Sequence, residues 1–198
     1  MASIVNKFNH LVNIISNKDF LDCKILCNDI PIFIADYDIT EEKEFLSMQD
    51  NLIKTLQNKN INVLSINLYD LVIEILQNNQ GDWEWLTSTE RNKEELLDEL
   101  KGILNVEKYV IPAIANKMTE KSDEYDVLFL NGCGNIFPFL RTHTILNNLH
   151  IHIVKPIIVF FPGESVSKGS PYASFKLFNQ IDEGNDYRAA NIFQIRGL

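Results

Sequence analysis

The sequence predicts an α/β fold: a mainly parallel sheet of four to five strands, covered by helices on both faces, with a helical insertion between the second and third strands. Three observations carry this. Short apolar runs alternate along the chain with stretches of helical period. One run, Val127-Leu128-Phe129-Leu130, has no polar alternation, as expected for a strand buried on both faces. It leads into Asn131-Gly132-Cys133-Gly134-Asn135, a turn that uses glycine's conformational freedom, and then into FPFLRTHTILNNL, where Leu140, Leu146 and Leu149 form a buried stripe. Pro138 fits the first turn of that helix.

The elements follow in order. Ile4, Phe8, Leu11, Val12 and Ile15 recur at helical spacing, so residues 3–16 form a first helix with Ser3 as its cap. Residues 30–35 read as the first strand, with Pro31 at its start, and end in Asp36-Tyr37-Asp38. Thr40 then caps an acid-rich helix with Phe45, Leu46, Leu52, Ile53 and Leu56 on its buried face. Residues 61–68 are the second strand, and residues 69–76 return to helical period.

The polar break QNNQGD (77–82), Trp83 and Trp85, a charged helix at 90–104 with Leu96, Leu97, Leu100 and Leu104 inward, and a helical stretch at 106–118 follow. Pro112 kinks or bounds the last of these. This section (about 77–121) is too long for a simple crossover, hence an inserted helical hairpin or cap within one domain spanning 1–198. Residues 157–161 are the most strand-like run and stop at Pro162-Gly163-Glu164. A polar, mobile loop (165–172), an anchor at Phe175, Leu177 and Phe178, and an edge strand within 191–195 complete the chain.

Composition limits the function. The formal net charge of −9 disfavours a general nucleic-acid binder, since duplex DNA is itself a polyanion. No run approaches the roughly 20 apolar residues of a membrane span, and the N-terminus reads as an amphipathic helix rather than a signal peptide, so a cytoplasmic protein without membrane contact is expected. Cys23, Cys27 and Cys133 lack the spacing of a disulfide framework, and Cys23-x-x-x-Cys27 lacks the second half of a metal site. No metal or cofactor is expected.

In a parallel sheet the site lies at the carboxyl ends of the strands. Those ends hold Asp36 and Asp38, Tyr69 and Asp70, Asn131 to Gly134, and Gly163 with Glu164. Asp36-x-Asp38 offers carboxylates to a hard cation, but an Asx turn leading into a helix cap is the favoured account. Gly132-x-Gly134 resembles a phosphate-cradling turn, yet it lacks both the third glycine of a dinucleotide fingerprint and the lysine of a P-loop. Arg141 and His143 lie two residues apart on the following helix and so point in nearly opposite directions. Cys133 with His143 could form a thiol–base pair, although a small residue packed in a tight turn is simpler. Glu164 is either an acid/base or an ion-pair partner of Arg141 or Arg188, and Arg188 with Tyr187 anchors the last segment. Trp83 and Trp85, flanked by acids, are either cap core or partner contacts. No complete catalytic constellation emerges.

PIFIADYD (31–38), INLYDLVI (66–73), EKYVIPAIA (107–115), the glycine-turn unit at 127–149, VFFPGE (159–164) and DYRAANI (186–192) together resemble, in order along nearly the whole chain, the BrxB family, the B component of bacterial BREX phage-defence systems. The resemblance implies a small cytosolic subunit of an assembly with an ATPase, a DNA adenine methyltransferase and a PglZ-like protein, touching DNA only indirectly. It supplies no catalytic residues, and Cys133 departs from the more regular residue expected in the turn. Two readings follow. One is a non-catalytic adaptor that docks the PglZ-like and ATPase components. The other is a nucleotide- or nucleic-acid-responsive domain that uses the Gly132–Gly134 turn and Arg141.

Overall fold

The computed structural model describes residues 3–25, 30–78, 80–88, 90, 92–166, 174–182, 187 and 189–195. Its centre is a parallel sheet in the order β2-β3-β4-β1-β7, formed by Val63–Asn67 (β2), Val127–Asn131 (β3), Ile157–Val166 (β4), Ile32–Tyr37 (β1) and Ala190–Asn191 (β7). The longest register joins β1 to β4, from Ile32 opposite Ile157 to Tyr37 opposite Pro162. This is the α/β architecture the sequence predicts, with all pairings of the central sheet parallel.

Period-two alternation sorts each strand's residues between two cores. Phe33, Ala35, Val127, Phe129, Ile158 and Phe160 face α1 (Ile4–Ile15), α2 (Lys18–Leu21) and α3 (Glu42–Gln57). Ile32, Ile34, Leu128, Leu130, Ile157 and Val159 face the other layer, made by α4 (Leu68–Asn78), α7 (Ile111–Glu120) and α8 (Thr142–Leu149). The central strands are therefore apolar throughout because both of their faces are covered. On the first face, edge-on and stacked rings run from Tyr37 through Phe45 and Phe160 to Phe129, with centroids 4.2 to 5.8 Å apart.

Several boundaries differ from expectation, each for a local reason. Ser3 caps α1 as predicted. The cap after β1, however, is Asp38, whose carboxylate accepts from the Thr40 N–H and opens a 3₁₀ turn (Ile39–Glu41) ahead of α3. The polar stretch 77–82 does not break the helical run for long: α5 (Gln80–Ser88) begins at Gln80 and carries both tryptophans. Next, α6 (Lys93–Ile103) starts later than expected, behind a capping box in which Asn92 and Glu95 exchange backbone and side-chain bonds. Leu96 on this helix is not inward; it is 37% exposed, and no residue of α6 is fully buried. A π-helical turn (Val106–Val110) runs into α7, which places Pro112 in the first turn, where its missing N–H costs nothing.

The helix predicted from Pro138 begins only at Thr142. Residues 132–140 instead cross the end of the sheet in successive turns, closed by Asn135 N–H to Gly132 O (3.1 Å) and Leu140 N–H to Ile136 O (2.9 Å). That path buries Cys133, Ile136 and Leu140 over the second core.

Finally, β4 does not stop at Pro162. It continues to Val166 by leaving the parallel sheet and pairing antiparallel with β5 (Ser174–Leu177), which pairs in turn with β6 (Ile181–Asp182). Pro162 lacks an N–H, but its carbonyl accepts from the Phe178 N–H at 2.8 Å. The expected terminal strand is only β7, followed by a 3₁₀ turn (Ile192–Gln194). The predicted loop lies outside the described residues over 167–172, as do Cys27 and Arg188.

Gly163 marks the transfer of β4 from one sheet to the other. A Cβ there would lie 2.0 Å from the Lys176 carbonyl oxygen, a backbone atom that cannot step aside. Gly163→Ala is therefore expected to destabilise the protein by about 1–3 kcal/mol, measured by urea unfolding. Gly102→Ala, on an exposed helix turn with open space around it, is the control and should be neutral or stabilising.

Candidate functional site

The chain leaves β1 through α3 on the first face, travels to the far edge at β2, and returns strand by strand through helices on the second face to β4. The strands that begin and end this circuit, β1 and β4, are neighbours, and the crevice between such strands is where open α/β sheets place their ligands. A depression of about 160 Å³ lies there, lined by Lys7, Asp36, Asp38, Glu164, Ser165 and Asn179 among others. Asp36, Asp38 and Glu164 are thus brought together as a group. Asn131, Gly132 and Gly134 belong to the carboxyl ends of β3 and β2, beside this crevice rather than within it.

Both aspartates of the crevice are occupied by neutral donors of the chain itself. Asp36 accepts from the Ser165 N–H and from Asn191 Nδ2, each at 3.1 Å, and its carbonyl accepts from Lys7 Nζ at 2.8 Å. It therefore fastens β1 to the outer part of β4, to β7 and to α1. Asp38 accepts from the Thr40 hydroxyl (2.6 Å) and N–H (2.8 Å) and from Asn179 Nδ2 (2.9 Å). The Thr40 hydroxyl and N–H, before the other donors, hold the Asp38 carboxyl below its usual range. Asn179 reaches it from a left-handed backbone at φ 60°. The Tyr37 hydroxyl lies 3.4 Å from Glu42 Oε1, and burial followed by the nearby Glu42 charge raises that phenol far above its ordinary value. Glu164 is exposed and faces Lys176 across the β4–β5 ladder.

Lys7 and Asn179 were not singled out from the sequence. Lys7 is only 9% exposed, and its ammonium sits 5.1 Å from the Phe193 ring centroid and 6.0 Å from that of Phe45. A signal existed: Lys7 occupies the position three after Ile4 and four before Leu11, inside the apolar stripe of α1. Asn179 carries no such mark, because its role depends on a turn that forms only when β5 folds back.

The glycine turn is built for close approach. Gly132 has φ 76°, and a Cβ on it would lie 2.4 Å from Asn67 Oδ1, which accepts the Tyr69 N–H at 2.9 Å. A Cβ on Gly134 would meet the Phe178 ring at 2.8 Å, so this glycine lets the β5 hairpin pack onto the turn. Asn131 accepts from Gln49 Nε2 at 2.6 Å and donates to Ser65 Oγ at 3.0 Å, which makes a carboxamide relay from α3 across β3 to β2. Gln49 was another residue missed, a buried amide on an otherwise apolar helix face.

The remaining candidates are dispersed. Arg141 stands before α8 with its guanidinium 4.4 Å from the Phe137 ring centroid, while His143, on α8, meets the edge of the buried Tyr187 ring at 5.9 Å. Cys133 is buried in the second core. Trp83 is half-buried against that core, whereas Trp85 is 45% exposed. Among the described residues no cluster of three His, Cys, Asp or Glu side chains is arranged to hold a metal ion, and no helix is long and apolar enough to cross a membrane.

The fold and rim thus define a parallel α/β protein whose strand-end polar groups are spent largely on its own segments. A family profile for BREX protein BrxB matches residues 64–192, and the chain belongs to the BrxB family. It is 28% identical over 200 residues to a BREX protein BrxB of Bacillus cereus (strain H3081.97), covering 96% of this chain and 97% of that protein. It is also 28% identical over 169 residues to a BREX protein BrxB of Escherichia coli O9:H4 (strain HS), covering 82% and 78% respectively. No solved structure matches the chain.

The Asp38 geometry yields a pH prediction. A carboxyl whose folded pKa is depressed adds stability above its unfolded value, 3.8, and loses it as pH falls through the folded value. Asp38→Asn should therefore be less stable than wild type at neutral pH, and the gap should close below about pH 4. Urea midpoints of both proteins followed across that range check this; a gap that persists unchanged in acid refutes it.

Proposed function

We propose that this chain is a non-catalytic adaptor of a BREX phage-defence system that docks the system's PglZ-like and ATPase components. Membership of the BrxB family supports the BREX assignment. The observation that carries the docking role is the surface of the helical connection between β2 and β3. There α6 buries none of its residues fully, Leu96 and Trp85 are exposed, and Glu94, Glu95 and Asp98 are exposed acids near the leucine in sequence. Leu100 and Ile103 of α6 pack partly against the second core, so the exposed apolar side chains of this connection are Leu96 and Trp85, which offer a contact to a partner. The protein is one that acts in the cytoplasm, and any contact with DNA comes through its partners, in keeping with a net charge of −9.

The nucleotide-responsive reading finds less support. Phosphates at the crevice would face Asp36, Asp38 and Glu164. At the glycine turn, the N–H groups of Asn135 and Phe137 bond within the turn, and α8 starts too far downstream to aim its dipole there.

Co-expression with the neighbouring BREX genes, followed by purification through a tag on this chain and light scattering, tests the adaptor reading. A stable complex of defined stoichiometry is expected. Recovery of the chain alone at physiological salt, with DNA present, would count decisively against it. Within a complex, Trp85→Ala combined with Leu96→Lys should weaken association about tenfold or more while leaving the melting temperature of the free chain unchanged. Unaltered association would move the interface elsewhere.

A further inference from the structure

The outer edge of β2 ends the parallel sheet. β2 pairs with β3 alone, and among the described residues nothing pairs with its other side. Its backbone orientation follows from the ladder. The Asn62 carbonyl accepts from the N–H groups of Asp126 (2.8 Å) and Val127 (3.3 Å). The backbone groups of Asn62, Leu64 and Ile66 therefore face β3, and by alternation those of Val63, Ser65 and Asn67 face outward. The strand offers five residues, about 17 Å of edge.

Natural edge strands are usually blunted by proline, by charged side chains or by a bulge. VLSIN carries no proline and no charge, and its register with β3 runs without interruption. A groove of about 300 Å³ follows the edge, walled by α4 and α7. Leu64 and Ile66 give it an apolar side. Asp70, Glu74 and Glu120 line the walls together with Lys117 and Lys121, and Lys117 is already bonded to Glu74 at 2.8 Å.

We propose that this edge receives an extended, lysine- or arginine-bearing segment of a partner protein as an added strand. The segment's main chain pairs with Val63, Ser65 and Asn67, and its alternate apolar side chains enter the groove. Charge selects this occupant over a second copy. The groove's carboxylates outnumber its lysines, and two chains of net charge −9 pairing edge to edge would bring like fields together. The inference rests on the docking reading and adds to it a second surface, separate from Trp85 and Leu96.

The test uses the full-length chain and two synthetic heptapeptides, one alternating lysine with valine and the other glutamate with valine, with residue-resolved amide hydrogen exchange as the readout. The lysine peptide should slow exchange at Val63, Ser65 and Asn67, and the glutamate peptide should not. Ser65→Pro removes an outward N–H, and also the Ser65 Oγ bond to Asn131 that Ser65→Ala removes as well, and should weaken binding about tenfold or more. Ser65→Ala keeps the N–H and should bind within about twofold of wild type. Protection by neither peptide, or equally by both, overturns the proposal. So does concentration-dependent protection of the same amides without peptide, which would give the edge to a second copy. Because the wild-type exchange pattern decides, a Ser65→Pro chain that fails to fold leaves the test intact. A BREX complex in which these three amides exchange as freely as in the isolated chain would sink the edge inference and leave the docking reading standing; absence of any complex would remove the docking reading itself.

Discussion

The parallel ladder between β1 and β4 is the constraint on which the rest of the molecule depends. The two strands are 125 residues apart at the Ile32–Ile157 pair, and everything from α3 to α8 lies between them in the chain. Once closed, it supplies the middle of both cores, since Ile32, Ile34, Ile157 and Val159 serve one face and Phe33, Ala35, Ile158 and Phe160 the other. It also brings Asp36 beside Ser165 and Asn191, and thereby fixes where the antiparallel hairpin and the last strand attach.

The polar groups at the strand ends act as fasteners. Asp36, Asp38, Asn67 and Asn131 each accept one or more hydrogen bonds from segments that arrive from elsewhere in the chain or from the turn that follows. A carboxylate supplied with two or three donors orders the loops that supply them. The crevice that in many α/β proteins holds a ligand is here a clasp between α1, the hairpin and the C-terminal segment. The exposed side chains of α5 and α6 and the unpaired edge of β2 lie away from this clasp, at the periphery of the sheet.

Much of this was legible in the residues. The β3–turn–α8 unit, the buried leucine stripe, the first helix with its Ser3 cap and the long helical connection follow from local periodicity and turn chemistry, which are short-range properties. Two of the misplaced elements share one feature: contacts from outside the stretch overrode local preference. Pro162-Gly163 ends a strand by propensity, yet β4 runs through it because β5 folds back and offers new hydrogen-bond partners. Pro138 marks a helix start by preference, yet the chain turns further to bury Ile136 and Leu140. Leu96 fits an inward stripe by period, but period says only that a helix has an apolar face and not whether this fold covers it.

Sequence alone determined the α/β class, the two-sided burial of the central strands and the gathering of polar residues at their carboxyl ends, because strand and helix periods and the direction of parallel strands are encoded residue by residue. Tertiary structure alone decided which of those polar residues meet, that Lys7 joins them from the first helix, that Arg141 and His143 go to separate aromatic partners, and that β2 is left at the edge. Those outcomes depend on strand order, and strand order is settled by how distant segments pack rather than by any short stretch of chain.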